Sequence, residues 1–202
     1  LFQALAPSKN ILEITNEPFM KNVLSSFNPV VSVGKKVYGT PFGTAVGGGI
    51  LYNKKVYAKL KLKVPTTWAE VTAAAKKIKK KYPRVYPIGL PLGSEEAQAE
   101  FAIWTGGNNG RYFDDKTKKW VINSKENLET MNYLTSLVKA GLTQPSPAST
   151  NRTDAFKLFS QGRIAMINAS VFFPSTLKDY KSKVDYGVAP FPHSPKGKSI
   201  TL

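Results

Sequence analysis

Between residues 50 and 190 short apolar runs with strand character alternate with amphipathic stretches of helical length, a pattern that points to an α/β sheet joined by helical crossovers. The runs ILY (50–52), VYPIGL (85–90), RIAMIN (163–168) and VDYGVAP (184–190) read as strands. The helices between them carry their own end signals. In VPTTWAEVTAAAKKIKKK (64–81), Thr67 and Glu70 form a capping box, where a hydroxyl and a carboxylate each satisfy a free first-turn amide, and Val71, Ala75 and Ile78 follow at helical spacing. Trp68 in that turn reads as a packing anchor. Ser94 is expected to cap a helix that stops at Gly106 and Gly107. Ser124 is expected to cap another that stops at Gly141, with Leu128, Met131, Leu134 and Val138 as its buried stripe. A shorter helix carries Ala155, Phe156 and Phe159. Hairpins are expected over 33–43 and 111–123. In the second, Asp114 and Asp115 serve the turn, because the D-x-[DN]-x-[DN]-G pattern of a calcium loop is missing.

The stretch VGGGILYNKK (46–55) invites comparison with a phosphate loop, but such a loop needs glycines that follow a strand and open a helix. Gly47, Gly48 and Gly49 instead precede a strand-like run, so they mark a place where the chain passes close to another backbone or flexes before it enters the sheet. Catalytic chemistry is equally poorly supplied. The chain has no cysteine, and its one histidine, His193 in FPHSP, has neither the acid of a serine triad nor the companions of a metal site beside it. Glu95, Glu96 and Glu100 sit near a helix start and read as dipole partners and solvent-facing charge rather than a glycosidase pair. No enzyme activity, cofactor or metal is expected.

The net charge of +16 raises a nucleic-acid reading. Only four of the 29 basic residues are arginine, the side chain whose fork suits base edges and phosphates. The lysines fall in every segment, and the densest group, KKIKKK (76–81), ends a helix, where cations complement the dipole. A solvated lysine face is therefore the expectation, and a basic surface adhesin or nucleic-acid-binding module is the alternative. The N-terminal LFQALAPSKN lacks the pattern of a signal peptide, so any export signal is expected to lie outside this chain. Two N-x-[ST] sequons, at Asn151 and Asn168, are about what chance supplies.

The order of segments is more specific than any one of them. GKKVYGTPFG, GGGILYNKKVYAKL, VPTTWAEV, TGGNNGRYFDD, FKLFSQGRIAMINAS and VDYGVAPFP, in that sequence, resemble the family 1 extracellular solute-binding proteins of ABC importers, the group that includes maltose-binding protein. The likeness runs over nearly the whole chain.

The resemblance implies a periplasmic-binding-protein-like type II α/β fold of which this chain is a fragment, mainly the second of two lobes. Residues 1–42 would end a first-lobe segment, 43–48 would form a hinge crossing, 49–191 most of the second lobe, and 192–202 a crossing back towards the first. Gly47, Gly48 and Gly49 would serve the hinge. The implied ligand is a carbohydrate, with Phe172, Glu95, Glu96, Asn108 and Trp104 as the contact residues. Implied partners are ABC permease subunits and no nucleic acid. The implied setting is extracytoplasmic, as a monomer, with membrane association through a lipid anchor outside this chain. Two departures weigh on the sugar. The first cleft-crossing strand offers Thr44, Ala45, Val46 and glycines where maltose-binding protein has an acid, and NASVFF stands where relatives often carry tryptophan.

Overall fold

The computed structural model describes residues 2–40, 48–95 and 97–200. Contacts divide the chain into two compact units, Leu1–Ala45 and Val46–Leu202. Of the expected hinge crossing, residues 43–47, Gly47 among them, lie outside the described residues.

The first unit contains α1 (Phe2–Leu5), 3-10 turns at Pro18–Asn22 and Ser25–Phe27, α2 (Asn28–Val31), and a hairpin of β1 (Ser32–Val33) and β2 (Lys36–Val37). The hairpin turns through Gly34, whose φ of +61° would strain any residue with a Cβ. Its outer edge is continued by Ile14 and Thr15: the Ile14 amide donates to the Val37 carbonyl at 2.8 Å and the Val37 amide donates to the Thr15 hydroxyl at 2.9 Å. The hairpin expected over 33–43 thus occupies 32–37, and residues 41–43 of the expected span lie outside the described residues.

The second unit runs β3 (Gly48–Asn53), α3 (Lys54–Lys59), α4 (Trp68–Lys81), β4 (Tyr86–Gly89), α5 (Ala97–Gly106), the hairpin strands β5 (Phe113–Asp114) and β6 (Lys119–Trp120), α6 (Lys125–Lys139), α7 (Arg152–Ser160), β7 (Ile164–Ser170), α8 (Phe173–Asp179) and β8 (Tyr186–Ala189). Its sheet has the order β4-β7-β3-β8. β4 and β7 are parallel, joined by a long helical crossover, whereas β3 lies antiparallel to both β7 and β8. β7 is the central strand and is covered on both faces. Met166 packs with Trp68, Val71 and Leu134 on one side, and Ile167 and Ala169 pack with Phe156, Phe159 and Phe173 on the other.

The capping box forms as its spacing predicts. The Glu70 amide donates to the Thr67 hydroxyl, and the Glu70 carboxylate accepts from the Thr66 and Thr67 amides. Trp68 is the expected anchor: its ring stacks on Tyr133 at 4.3 Å with 6° between planes, and the Tyr133 hydroxyl donates to the Trp68 carbonyl. Replacing Thr67 with alanine is expected to cost about 1 kcal/mol of unfolding free energy. Urea titration of the two proteins checks this, and a loss below a few tenths would show that Glu70 alone holds the turn.

Two expectations are corrected. Helix α5 starts at Ala97, after a turn at Ser94 and Glu95, with the Ala97 amide donating to the Gly93 carbonyl, so Ser94 is not its cap. Helix α6, capped by Ser124 as expected, buries Asn127, Thr130, Leu134 and Leu137, and leaves Leu128, Met131 and Val138 exposed. The face is rotated because Asn127 is a hub: its amide nitrogen donates to the carbonyls of Arg111, Val121 and Ile122, which pins the loop onto the helix. Polar groups satisfied in this way can be buried ahead of leucine. Residues of the segment 192–202 hydrogen-bond to the second unit. The His193 amide donates to the Thr66 carbonyl, the Ser194 amide to the Gly107 carbonyl, and the Asn109 side chain to the Lys196 carbonyl.

Candidate functional site

Because β4 and β7 are adjacent and parallel, the loops that follow them open at the same end of the sheet. The antiparallel β3 begins at that end with Gly48, opposite Ser170, and β8 finishes there at Ala189. Ligands of open α/β sheets sit at the C-terminal ends of the parallel strands. Here a concavity of about 280 Å³ is walled by Gly48, Gly49, Ser170, Val171, Pro174 and Val188, with others. Val171 is 47% exposed and Val188 60%, so two apolar side chains of its wall face solvent, and Phe172, which follows Val171 in the chain, is 66% exposed. A larger concavity, about 980 Å³, lies within the first unit, where Thr15, Asn28 and Lys35 share its wall with Met20, Val37 and two prolines, and no aromatic ring is among its described lining residues.

The glycines that open β3 are there for space. A Cβ on Gly49 would collide with the Ala189 carbonyl oxygen, and one on Gly48 would stand 2.8 Å from the Phe191 ring and 2.9 Å from the Ala169 carbonyl oxygen. Both residues are hydrogen-bonded strand members. Close backbone approach, one of the two readings of the glycine run, is what the packing of Gly48 and Gly49 shows.

The proposed contact residues separate into different environments. Phe172 occupies the N-cap position of α8 and is exposed to solvent, between Val171 in the chain and the buried Phe173. Its neighbour Phe173 is fully buried against Phe156, ring centroids 3.7 Å apart. Trp104 is 3% exposed, packed among Trp68 and Tyr133, and thus a core residue with no ring face left for a ligand. Asn108 is also buried and holds α6: its amide donates to the Glu126 carbonyl at 2.9 Å and to the Glu129 carboxylate at 3.3 Å, keeping that carboxyl below its usual range. Glu95 is at the surface, but both of its oxygens are taken, one by the Thr153 hydroxyl at 2.8 Å and the other by the Thr153 amide at 3.1 Å. It caps α7, and those bonds lower its pKa. The tie is therefore complete above the ordinary carboxylate range and is lost as pH falls through the lowered value. Glu96 lies outside the described residues.

Two polar residues for which the sequence indicated no interior role, Glu100 and Asn168, form a buried network at the heart of the lobe. Glu100, expected to face solvent, is fully buried, and one of its oxygens accepts from the Trp104 indole and from the Asn168 amide, each at 2.8 Å. Asn168 is 3% exposed, so its sequon is closed. The signal was an acid inside the apolar run AEFAIW and an amide ending RIAMIN.

Comparison with known proteins agrees with this architecture. A family profile described as bacterial extracellular solute-binding protein matches residues 7–201. A binding protein of Brucella abortus is 30% identical over 185 residues, 90% of this chain and 44% of that protein. The multiple sugar-binding protein of Streptococcus mutans is 24% identical over 208 residues, all of this chain and 49% of that one. Among solved structures, an ABC transporter solute-binding protein from Thermotoga lettingae bound with alpha-D-tagatose superposes with a TM-score of 0.83 at 22% identity, over 99% of this chain and 53% of that one. The chain thus spans about half the length of the relatives it matches. With its two-faced mixed sheet and a family match across almost every residue, the chain belongs to the bacterial extracellular solute-binding proteins.

Proposed function

We propose that the chain supplies one wall of a carbohydrate-binding cleft, in an extracytoplasmic protein that holds its sugar between two lobes and delivers it to the permease of an ABC importer. The observation that carries this reading is Phe172, a solvent-facing ring just past the end of β7, next in the chain to Val171, which lines a concavity edged by glycine backbone. A sugar presents just this combination of demands, a CH face that stacks on an aromatic ring and hydroxyls that bond to exposed polar groups. The sugar binding named for the Streptococcus mutans relative and the alpha-D-tagatose bound in the Thermotoga lettingae structure support a carbohydrate over other solutes. The wall binds and performs no chemical step. Glu95 and Asn108 act by fixing α7 and α6 around it.

Calorimetry of the whole protein against a panel of neutral mono- and oligosaccharides tests the reading. A cognate sugar is expected, and Phe172→Ala is expected to weaken it by about 1 kcal/mol, roughly fivefold, with the thermal midpoint nearly unchanged. No sugar bound across the panel, or full affinity in the variant, would overturn the assignment.

A further inference from the structure

The lysines that look evenly scattered along the sequence gather in space. β3 ends, and β4, β7 and β8 begin, at the end of the sheet opposite the Gly48 end. Helices α4, α7 and α8 run down to this same end, as does α6, since Thr143 after it pairs in parallel with Ile88 of β4. The segments that turn there, 54–63, 76–84, 157–163 and 178–185 together with Lys139, hold seventeen Lys and Arg and two acids, Asp179 and Asp185. The remainder of Val46–Leu202 holds eight basic and nine acidic residues. Almost all of the chain's net charge of +16 therefore belongs to one end of one lobe.

Helix dipoles account for part of this. Seven of the seventeen stand in the last turns of α3, α4, α6, α7 and α8, where cations complement the C-terminal carbonyls. The other ten lie outside those turns, and one of them, Lys54, meets Asp185 at 3.2 Å. Such crowding of like charge opposes the compact state unless an anionic partner offsets it. The chemistry of that partner follows from the side chains. Fifteen of the seventeen are lysine, with only Arg84 and Arg163 among them, so the face offers hydrated point charges instead of forks for base edges. All but the half-buried Lys79 are exposed, and they spread over five segments instead of lining one groove. Tyr180, exposed at the rim of a recess flanked by Lys157, Lys181 and Lys183, adds an amphipathic ring of the kind found at lipid–water boundaries.

We propose that this end of the lobe is a docking face for an anionic lipid surface. The inference rests on the extracellular family placement and is independent of which solute binds. Attraction of this kind grows with each lysine near the surface and decays within a Debye length of about 8 Å at physiological salt. A lobe held by its basic end keeps the Phe172 end away from the lipid, open to arriving solute.

Co-sedimentation of the chain with vesicles tests this, using phosphatidylcholine alone or mixed with phosphatidylglycerol, at about 0.05 M and about 0.5 M salt. Binding is expected only with phosphatidylglycerol and only at low salt. Two fourfold variants change net charge equally: K80E/K81E/K181E/K183E in the basic end, and K116E/K118E/K119E/K125E outside it. The first is expected to weaken vesicle binding by about tenfold or more, the second by less than about twofold. Thermal midpoints are measured alongside, and glutamine at the same four basic-end positions gives the same ordering should the charge reversal fail to fold. Equal losses from both sets would reduce the effect to net charge and overturn the proposal. So would capture of duplex DNA without vesicle binding. Calorimetric sugar titrations on the same variants keep this outcome separate from the cleft assignment.

Discussion

Phe173→Ala is expected to lower the unfolding free energy by about 3 to 5 kcal/mol, whereas Phe172→Ala one residue earlier is expected to cost under about 1 kcal/mol. Phe173 is fully buried, stacked on Phe156 at 3.7 Å and tilted against Phe159 at 5.7 Å, in the cluster that seals α7 and α8 to β7. Removing the ring takes away its transfer free energy and leaves a cavity that two helices and a strand cannot easily close. Phe172 has already kept most of its surface in water, so its loss empties nothing. Urea unfolding of both variants, with sugar titration of each, should give opposite signatures: stability falls in one and affinity in the other. A Phe173→Ala protein as stable as the parent would show that the α7–α8 layer is loosely packed and that the adjacent wall is not rigid.

Glu100→Ala is expected to destabilise by about 3 kcal/mol or more, an unusually large effect for an acid that an amphipathicity reading assigns to solvent. The change strands two buried donors, the Trp104 indole and the Asn168 amide, both now satisfied by one carboxylate oxygen. Each unsatisfied donor costs roughly 1 to 3 kcal/mol. Glu100→Gln keeps an oxygen in reach and should be markedly milder. Intrinsic fluorescence gives an independent reading, because the Trp104 emission responds to loss of its hydrogen bond. If the alanine variant unfolds within about 1 kcal/mol of the parent, water or a rearranged side chain replaces the carboxylate, and the network is not what joins α5 to β7.

These two cases also mark where sequence reasoning stops. The capping box at Thr67 and Glu70, the Ser124 cap, the turn at Asp114, the four sheet strands and the steric role of Gly48 and Gly49 were all legible, because each is decided by groups a few residues apart or by one backbone passing another. What an element buries is decided by what lies across from it. Phe172 and Phe173 are identical and adjacent, and only the arrival of α7 makes one core and the other surface. The inward face of α6 went to Asn127 and Thr130 because the loop that leads into the helix presents the carbonyls of Arg111, Val121 and Ile122 to Asn127, a fact no helical periodicity contains. Glu100 and Trp104 are interior for the same reason, since α5 lies over Asn168 of the central strand. Hydropathy locates strands but not their directions. It was the directions of β3, β4, β7 and β8 that gathered an even run of lysines at one end of a lobe, opposite the end where Gly48 meets Ser170.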